Sequence, residues 1–332
     1  MADLKVVVIG GGTGNFVVLR GLKNYPVSLS AIVTMADDGG STGILRDELG
    51  VLPPGDVRQC LVALSNSSEL MLDLMNYRFS NGGLQGHNFG NLLLSALEKV
   101  TGSFEHAIEE VGKILAIKGN VIPVTTGKVR LRMELNSGKI LEGEREIYLS
   151  QEIDGGYQKL ELLPSPLINP KAIEEVENAD LIVIGPGGLF TSLIPNLLVD
   201  GLTTSLKKSK AKKVFVVNLM NRAGQTTGYQ LSDYLREMGS FLGGDLFDYI
   251  LVNNHEPDQK LLSAYSEEGD PVGNDCRGDS RVRSCDLLGE VKARDPADLM
   301  HRNLIRHDPD KLAHQLMQIA AEVAVNKVCS LE

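Results

Sequence analysis

Short, mostly apolar runs recur along the chain, and glycine or a polar side chain follows each of them. They cover residues 4–9, 30–34, 181–184, 214–217 and 249–252. Such runs are typical of parallel strands that are buried on both faces. The intervening segments carry apolar side chains at the spacing of an amphipathic helix. This alternation predicts an α/β fold: a doubly wound, mainly parallel, Rossmann-like sheet with helices on both sides.

The pattern changes between residues 121 and 165. Residues 129–135 alternate apolar and polar side chains, and the Asn-Ser-Gly sequence at 136–138 is a hairpin turn signal. Residues 140–148 are predicted to continue as the partner strand. We therefore expect one domain over residues 1–332, with a small antiparallel insertion, or an extension of the sheet edge, around residues 121–165.

Capping residues mark the start of several predicted helices. Ser103 precedes one of them, Asn169 precedes a proline at the first helical position, and Asp308 opens the last helix. Further helices are predicted at residues 16–22, 62–64, 69–77, 89–100 and 190–198. Residues 266–295 are polar, rich in Gly, Asp and Arg, and predict no regular element.

The composition is that of a soluble globular protein, with 42% hydrophobic and 23% charged residues. The net charge of −10 argues against a nucleic-acid or anionic-membrane partner, since both favour basic surfaces. No apolar run reaches the roughly 18 residues of a membrane-spanning helix, and no secretory signal pattern is visible. Four cysteines without a CxxC pair do not indicate a zinc site. We expect a cytoplasmic protein with reduced thiols.

A glycine-rich loop follows the first predicted strand and opens a helix. Its residues are Gly10, Gly11, Gly12, Thr13 and Gly14. Such a loop lets backbone N–H groups approach phosphate oxygens, and the helix dipole favours the negative charge. The spacing matches neither GxGxxG nor a P-loop. A tight turn without a ligand is the alternative.

A second loop follows the next strand and contains Asp37, Asp38, Gly39, Gly40 and Ser41. An acidic residue at this place commonly accepts hydrogen bonds from ribose hydroxyls in dinucleotide-binding folds. Paired carboxylates could also hold a divalent cation that bridges to phosphates. The third interpretation is a plain turn, because Asp-Gly is a strong turn dipeptide.

A third glycine loop follows the strand at 181–184. Gly185, Gly187 and Gly188 form a second phosphate-binding candidate, with Thr191 and Ser192 as donors. Close packing of strand against helix is the alternative. Asn218 also directly follows a strand, so it is expected at the same edge of the sheet, where ligands bind in such folds.

Three further polar side chains have two interpretations each. Arg58 could bind phosphate, or could pair with Asp56 to shape its loop. His87 could contact a ligand or act as a helix-start residue, and Asn91 could cap the same helix or reach the site. We assign no catalytic residue, because no GxSxG, HExxH or CxxC motif is present.

Five strings together resemble the CofD/YvcK superfamily over roughly residues 4–320. They are GGGTG ending at Gly14, ADDGGSTG ending at Gly43, PPGDVR ending at Arg58, GHNFGN ending at Asn91, and GPGGLFTS ending at Ser192. The DDGGS and PPGDVR strings are similar to the YvcK branch, called gluconeogenesis factor. Tyr265 and Arg306 resemble nucleotide-sugar contacts of that branch.

The resemblance implies a UDP-sugar-binding regulator, with UDP-N-acetylglucosamine or UDP-glucose as ligand and a role in cell shape and cell-wall homeostasis on gluconeogenic carbon. It also leaves room for NAD(P) in the same cleft, for a homodimer and for a regulatory protein partner. The enzymatic alternative is a 2-phospho-L-lactate transferase of coenzyme F420 synthesis. Asp38 and Asp56 would then be candidate ligands of Mg²⁺. A third alternative is an NAD(P)-binding protein.

Overall fold

The computed structural model describes residues 4–290 and 305–329. Ten strands are named in chain order: β1 (Leu4–Gly10), β2 (Val27–Val33), β3 (Asn120–Pro123), β4 (Arg130–Leu135), β5 (Ile140–Glu142), β6 (Tyr157–Leu163), β7 (Leu181–Ile184), β8 (Lys212–Val216), β9 (Tyr249–Asn253) and β10 (Val282–Cys285). Seven of them form one sheet, and β4, β5 and β6 form a second one.

The helices precede, connect and follow these strands. They are α1 (Gly12–Leu22), α2 (Gly40–Leu49), α3 (Gly55–Leu64), α4 (Glu69–Asn76), α5 (Phe89–Thr101), α6 (Phe104–Ile114), α7 (Glu144–Leu149), α8 (Pro170–Asn178), α9 (Ile194–Leu197), α10 (Leu202–Lys208), α11 (Leu231–Leu242), α12 (Gln259–Tyr265) and α13 (Pro309–Cys329). Short 3₁₀ turns lie at Gly82–Leu84 and Ile153–Gly155, and a π-helical turn lies at Leu189–Leu193.

The main sheet has the strand order β10-β9-β8-β7-β1-β2-β3, and every pairing in it is parallel. The chain runs outward from β1 to β3 on one side, then returns to place β7 on the other side of β1. The order therefore reverses between β1 and β7. In open α/β sheets this reversal leaves a crevice at the carboxyl ends of the two strands. The doubly wound prediction is confirmed.

The centre of the sheet is a continuous apolar layer. Val6, Val7, Val8 and Ile9 of β1 are all buried, and so are all four residues of β7. The predicted caps of three helices are present, since the side chains of Ser103, Asn169 and Asp308 accept hydrogen bonds from backbone N–H groups of the first helical turn. Among the described residues, no helix is long and apolar enough to cross a membrane.

The antiparallel insertion exists, but its boundaries differ from the prediction. Residues 120–123 form β3, which pairs with β2 in the main sheet, so the small sheet spans residues 130–163. The hairpin at 136–138 joins β4 to β5 as predicted. The prediction that residues 140–148 form one strand was wrong. β5 ends at Glu142, and after Gly143 (φ +98°) the chain turns into α7.

One strand of the main sheet was missed. β10 pairs in parallel with β9, inside the segment for which the sequence predicted no regular element. Two of its four residues are exposed and polar, because it is an edge strand covered on one side. An edge strand lacks the continuous apolar run that marks the central strands. Residues 291–295 of the same segment lie outside the described residues.

Candidate functional site

The loops that the sequence singled out lie together at the carboxyl edge of the main sheet. The loop after β1 and the loop after β7 flank the strand reversal. The loop after β2 lies beside the first of them, and Asn218 follows β8 on the other side. Four strands thus bring their terminal residues to one crevice.

The first glycine loop is packed tightly against protein atoms. A methyl group on Gly14 would overlap with the carbonyl oxygen of Pro186, a backbone atom that cannot move aside cheaply. Methyl groups on Gly11 and Gly12 would lie 2.7 Å from Ser192 Oγ and 2.5 Å from Asp56 Oδ1. The tight-packing interpretation therefore explains these three glycines without a ligand.

The remaining residues of this loop are held by side chains beneath and beside it. The buried Asn196 donates from Nδ2 to the carbonyl of Gly10, at 3.1 Å. Thr13 is exposed and donates through Oγ1 to Gln59 Oε1, at 3.1 Å. Thr13 is thus the exposed residue of this loop.

The loop after β7 is fixed by Asn218. Its Oδ1 accepts from Gly187 N at 3.0 Å and its Nδ2 donates to Gly187 O at 2.9 Å, so one amide side chain pairs with both polar groups of one residue. Gly188 is exposed and Ser192 half-buried, whereas Gly185 and Thr191 are buried. The exposed part of this loop consists of the Gly188 backbone and, in part, the Ser192 side chain, whose hydroxyl group lies beside Gly11.

The loop after β2 is open at the N-terminus of α2. Gly39 is the cap residue, and Gly40 is exposed with φ +48° and no atom near the place where a Cβ would lie. Helix geometry leaves the N–H groups of Gly40 and Ser41 without an intrahelical acceptor. His87 lies beside this terminus, with Nδ1 3.3 Å from Ser41 Oγ.

Carboxylates form one wall of the crevice. Asp37 accepts from Gly39 N at 3.0 Å, and Asp38 accepts from Arg145 N at 2.7 Å. Asp56 lies against the first glycine loop, and Glu144 begins α7. We call Asp37, Asp38, Asp56 and Glu144 the acidic wall.

Two members of the acidic wall, Glu144 and Asp37, have raised pKa values. Burial raises the pKa of Glu144 well above its ordinary value, and the negative charges of Asp37, Asp56 and Asp38 raise it further, against an opposing effect of Arg222. Burial also raises the pKa of Asp37, which hydrogen bonds from Gly39 and Thr42 oppose. A wall of this kind offers hydrogen bonds to hydroxyl groups.

Sequence reasoning missed Glu144 and Arg222. Arg222 donates from Nε to the backbone carbonyl of Tyr148 at 3.1 Å. Its guanidinium also stacks on the aromatic ring of Tyr148, with 3.6 Å from Cζ to the ring centroid. Together with Gln225, which donates to the carbonyl of Ile147, it attaches α7 to the loop after β8. The available signal was Gly143, which interrupts the alternating pattern directly before Glu144.

Arg58 and Asn91 lie inside the protein rather than at the crevice. Arg58 is 5% exposed, and its guanidinium donates to Asn91 Oδ1 at 3.0 Å and to the carbonyl of Met75 at 3.3 Å. These contacts join α3, α4 and α5. They favour a structural role for both Arg58 and Asn91, which is one of the two interpretations that the sequence left open for each.

The two C-terminal candidates differ in placement. Tyr265 is 1% exposed, so its ring packs in the core, which does not favour stacking on a ligand. Arg306 is exposed. The next residue, His307, lies 3.1 Å from the carbonyl of Val217 through Nε2, which brings this segment to the end of β8 beside Asn218.

The carboxylates of the acidic wall are the side chains that would have to bind a divalent cation in the crevice. Among the described residues, no three His, Cys, Asp or Glu side chains converge as ligands of one ion. The Asp38 carboxylate is engaged by the N–H of Arg145, and that of Asp37 by the N–H of Gly39. As placed, the acidic wall does not fit Mg²⁺, and no step is assigned to that ion.

Comparison with known proteins places the chain in a family. Residues 6–288 match the family described as 2-phospho-L-lactate transferase CofD. The chain belongs to the CofD family, also called UPF0052. A crystal structure of a UPF0052 protein from Bacillus halodurans superposes with a TM-score of 0.86 at 38% identity, covering 96% of this chain and 99% of that one.

Curated relatives of this CofD-family chain carry a different name. The putative gluconeogenesis factor of Thermotoga maritima is 42% identical over 323 residues, covering 96% of this chain and 99% of the relative. The gluconeogenesis factor of Bacillus subtilis is 39% identical over 323 residues, covering 96% and 98%. The resemblance drawn from the five sequence strings is confirmed at family level.

Proposed function

We propose that this CofD-family protein is a gluconeogenesis factor that binds a UDP-sugar, UDP-N-acetylglucosamine or UDP-glucose, in the crevice between β1 and β7. It would act as a binding protein in the control of cell shape and cell wall on gluconeogenic carbon. The observation that supports it most is the position of an open helix N-terminus, Gly39–Ser41, next to the acidic wall at the strand reversal.

The two sides of the crevice suit two parts of such a ligand. The N–H groups at the start of α2 and the exposed Gly188 suit phosphate oxygens. The acidic wall suits hydroxyl groups, as acceptors where ionised and as donors where protonated. A diphosphate that carries a ribose on one side and a hexose on the other presents both kinds of group within one molecule.

The start of α1 is a poorer place for the diphosphate. The Asp56 carboxylate fills the space beside Gly11 and Gly12 there, 3.1 Å and 2.5 Å from where their Cβ atoms would lie, whereas the space beside Gly40 is open. This proposal therefore assigns the diphosphate to the second loop rather than to the first.

A thermal-shift panel tests the proposal. UDP-N-acetylglucosamine, UDP-glucose, GDP, GTP and NAD(P) are compared, each with and without Mg²⁺. A ligand that binds only the native state adds about 2.7 kcal/mol at a hundredfold excess over Kd. We expect stabilisation by UDP-sugars without metal, reduced in Arg306→Ala and retained in Arg236→Ala, an exposed arginine on α11. No stabilisation by any UDP-sugar would contradict the proposal.

The second candidate is a transferase of the 2-phospho-L-lactate type, supported by the description of the matching family. Its assay combines a guanosine diphosphate-linked phospholactate donor, a deazaflavin acceptor and Mg²⁺. Release of the nucleoside monophosphate at many turnovers per protein would establish it. NAD(P) binding is the third candidate, and the same thermal-shift panel tests it.

A further inference from the structure

A second cavity lies behind the acidic wall, between α2 and the small sheet. Its volume is about 220 Å³. A cavity accepts a water molecule from roughly 10–15 Å³ upward, so this one has room for a small molecule. Its polar lining comes from Arg46, Asp47, Lys128 and Arg130, and its apolar lining includes Leu52 and Leu163.

The cavity carries more positive than negative charge. Arg46, Lys128 and Arg130 face one carboxylate, Asp47, which pairs with Arg130. The Asp47 side chain is 60% exposed, and an ion pair at such an exposed position contributes little. Burial lowers the pKa of Arg46 and the neighbouring charge of Arg130 lowers it further, whereas the carboxylates of Asp38, Asp37 and Asp47 oppose this change. The lining itself thus contributes three cations and one carboxylate, and further carboxylates lie beside it at Asp37, Asp38 and Glu98.

The arginine at the base of the cavity is held in place by the fold. Arg46 donates from Nη1 to the carbonyl of Asp37 at 3.1 Å and from Nη2 to the carbonyl of Val129 at 2.5 Å. Among the described residues these carbonyls are its hydrogen-bond acceptors, so its other N–H donors remain for an anion. A pre-oriented guanidinium with a lysine beside it is a common arrangement for binding phosphate.

The cavity also contacts the crevice directly. Asp37, whose carbonyl accepts from Arg46, opens the loop that leads to the N-terminus of α2. Arg130 Nη1 lies 3.9 Å from Asp38 Oδ2, another member of the acidic wall. An anion bound to Arg46 and Arg130 would therefore hold the two arginines that contact Asp37 and Asp38 of that loop.

We propose that this cavity is a second binding site, for a small phosphate monoester with a body of about three carbons, and that its occupation stabilises the loop at 37–43. The phosphate binds Arg46, Lys128 and Arg130, and the carbon chain contacts Leu52 and Leu163. The ligand chemistry differs from that of the crevice, since no nucleoside is needed.

The first test is isothermal titration calorimetry of the full chain with glycerol 3-phosphate at constant ionic strength. Inorganic phosphate and uncharged glycerol are measured in parallel. Lys128→Gln removes an exposed cation of the cavity, and Lys139→Gln removes an exposed cation of the β4–β5 hairpin as the matched control. We expect saturable binding whose Kd rises at least tenfold in Lys128→Gln and stays within twofold in Lys139→Gln.

Two results would overturn the assignment. One is the absence of saturable binding, or binding that Lys128→Gln leaves unchanged. The other is binding that disappears when saturating UDP is added, because the phosphate would then occupy the crevice. Binding of glycerol as strong as that of glycerol 3-phosphate would likewise exclude an anion site.

The second test is amide hydrogen exchange of residues 37–43 without any nucleotide, with and without glycerol 3-phosphate. We expect at least threefold slower exchange in the wild type and no change in Lys128→Gln. Unchanged exchange in the wild type at saturation would overturn the connection to the loop. Neither test depends on UDP-sugar binding, so failure of the nucleotide proposal would leave this one standing.

Discussion

The first and second loops of the crevice look alike in sequence and differ in structure. Both follow a strand of the main sheet, both are rich in glycine, and both open a helix. In the first loop, protein atoms occupy the space beside the glycines: Pro186 at Gly14 and Asp56 at Gly12. In the second loop, Gly40 has open space beside it and a left-handed backbone, φ +48°.

The difference shows that a loop after a strand can be rich in glycine for two separate physical reasons. One is close packing of protein against protein, and the other is a backbone conformation that exposes a helix terminus. The helix terminus of the second loop has open space beside Gly40, whereas the Asp56 carboxylate lies beside the terminus of the first loop. We therefore assign the structural role to the first loop and the binding role to the second, and the following changes test that assignment.

The largest effect is expected for Gly14→Ala. The added methyl group overlaps with the backbone of Pro186, and overpacking of this kind costs about 3 kcal/mol or more in the free energy of unfolding. Urea denaturation measures it. Gly155→Ala is the control, because a methyl group there has open space, and we expect a change below about 0.5 kcal/mol. Equal stability of the two variants would remove the packing argument for the first loop.

A smaller effect, on binding rather than on folding, is expected for Gly40→Ala. The methyl group lies in the opening at the N-terminus of α2, so the Kd for UDP-N-acetylglucosamine should rise about tenfold, or about 1.4 kcal/mol. The left-handed backbone alone costs about 1 kcal/mol of stability. Gly102→Ala is the control, because Gly102 at the end of α5 also has a left-handed backbone (φ +71°) and open space beside it. Calorimetric titration should show weaker binding in Gly40→Ala alone, and equal affinities would contradict the role of the second loop.

The smallest effect is expected for Glu144→Gln, in the wall beside the second loop. Because the folded protein raises the pKa of Glu144, it retains a proton that the unfolded chain has released. The wild type therefore loses stability as pH rises from the ordinary carboxyl pKa, about 4.3, through the raised value. Glu144→Gln removes this loss of stability, because an amide side chain does not ionise.

Thermal unfolding of both proteins from pH 4 to pH 8 checks this expectation. Glu144→Gln should match the wild type in the free energy of unfolding near pH 4 and become increasingly more stable than it as the pH rises toward 8, because only the wild type must ionise a buried carboxyl group. Glu146→Gln, at an exposed neighbour on α7, is measured in parallel as the matched control for replacing one carboxylate by an amide. A constant difference between Glu144→Gln and the wild type at all pH values would refute the raised pKa.

Much of the fold could be predicted because the central strands are buried on both faces. Residues 181–184 form an uninterrupted apolar run for that reason, and so does the middle of β1. β10 could not be predicted from such a run, since two of its four side chains are exposed. α7 was hidden by its length of six residues, too short to show helical periodicity.

The sequence was enough to predict that the candidate site lies at one edge of the sheet, but not which side chains line it. Asp37, Gly187 and Asn218 each follow a strand. This position predicts that they lie at the same edge of the sheet, because the carboxyl ends of parallel strands share one edge. Which polar residues face inward depends on helix packing, as Arg58 shows by joining three helices. Glu144 reaches the site through the insertion, which no pattern in the main sheet indicates.

The most direct test of the central claim is a crystal structure of the full chain with UDP-N-acetylglucosamine, grown without Mg²⁺. The account predicts diphosphate oxygens within hydrogen-bond distance of the N–H groups of Gly40 and Ser41, and sugar hydroxyls at the acidic wall. A diphosphate bound instead at Gly12 and Thr13, or a nucleotide sugar bound outside the crevice, would contradict it.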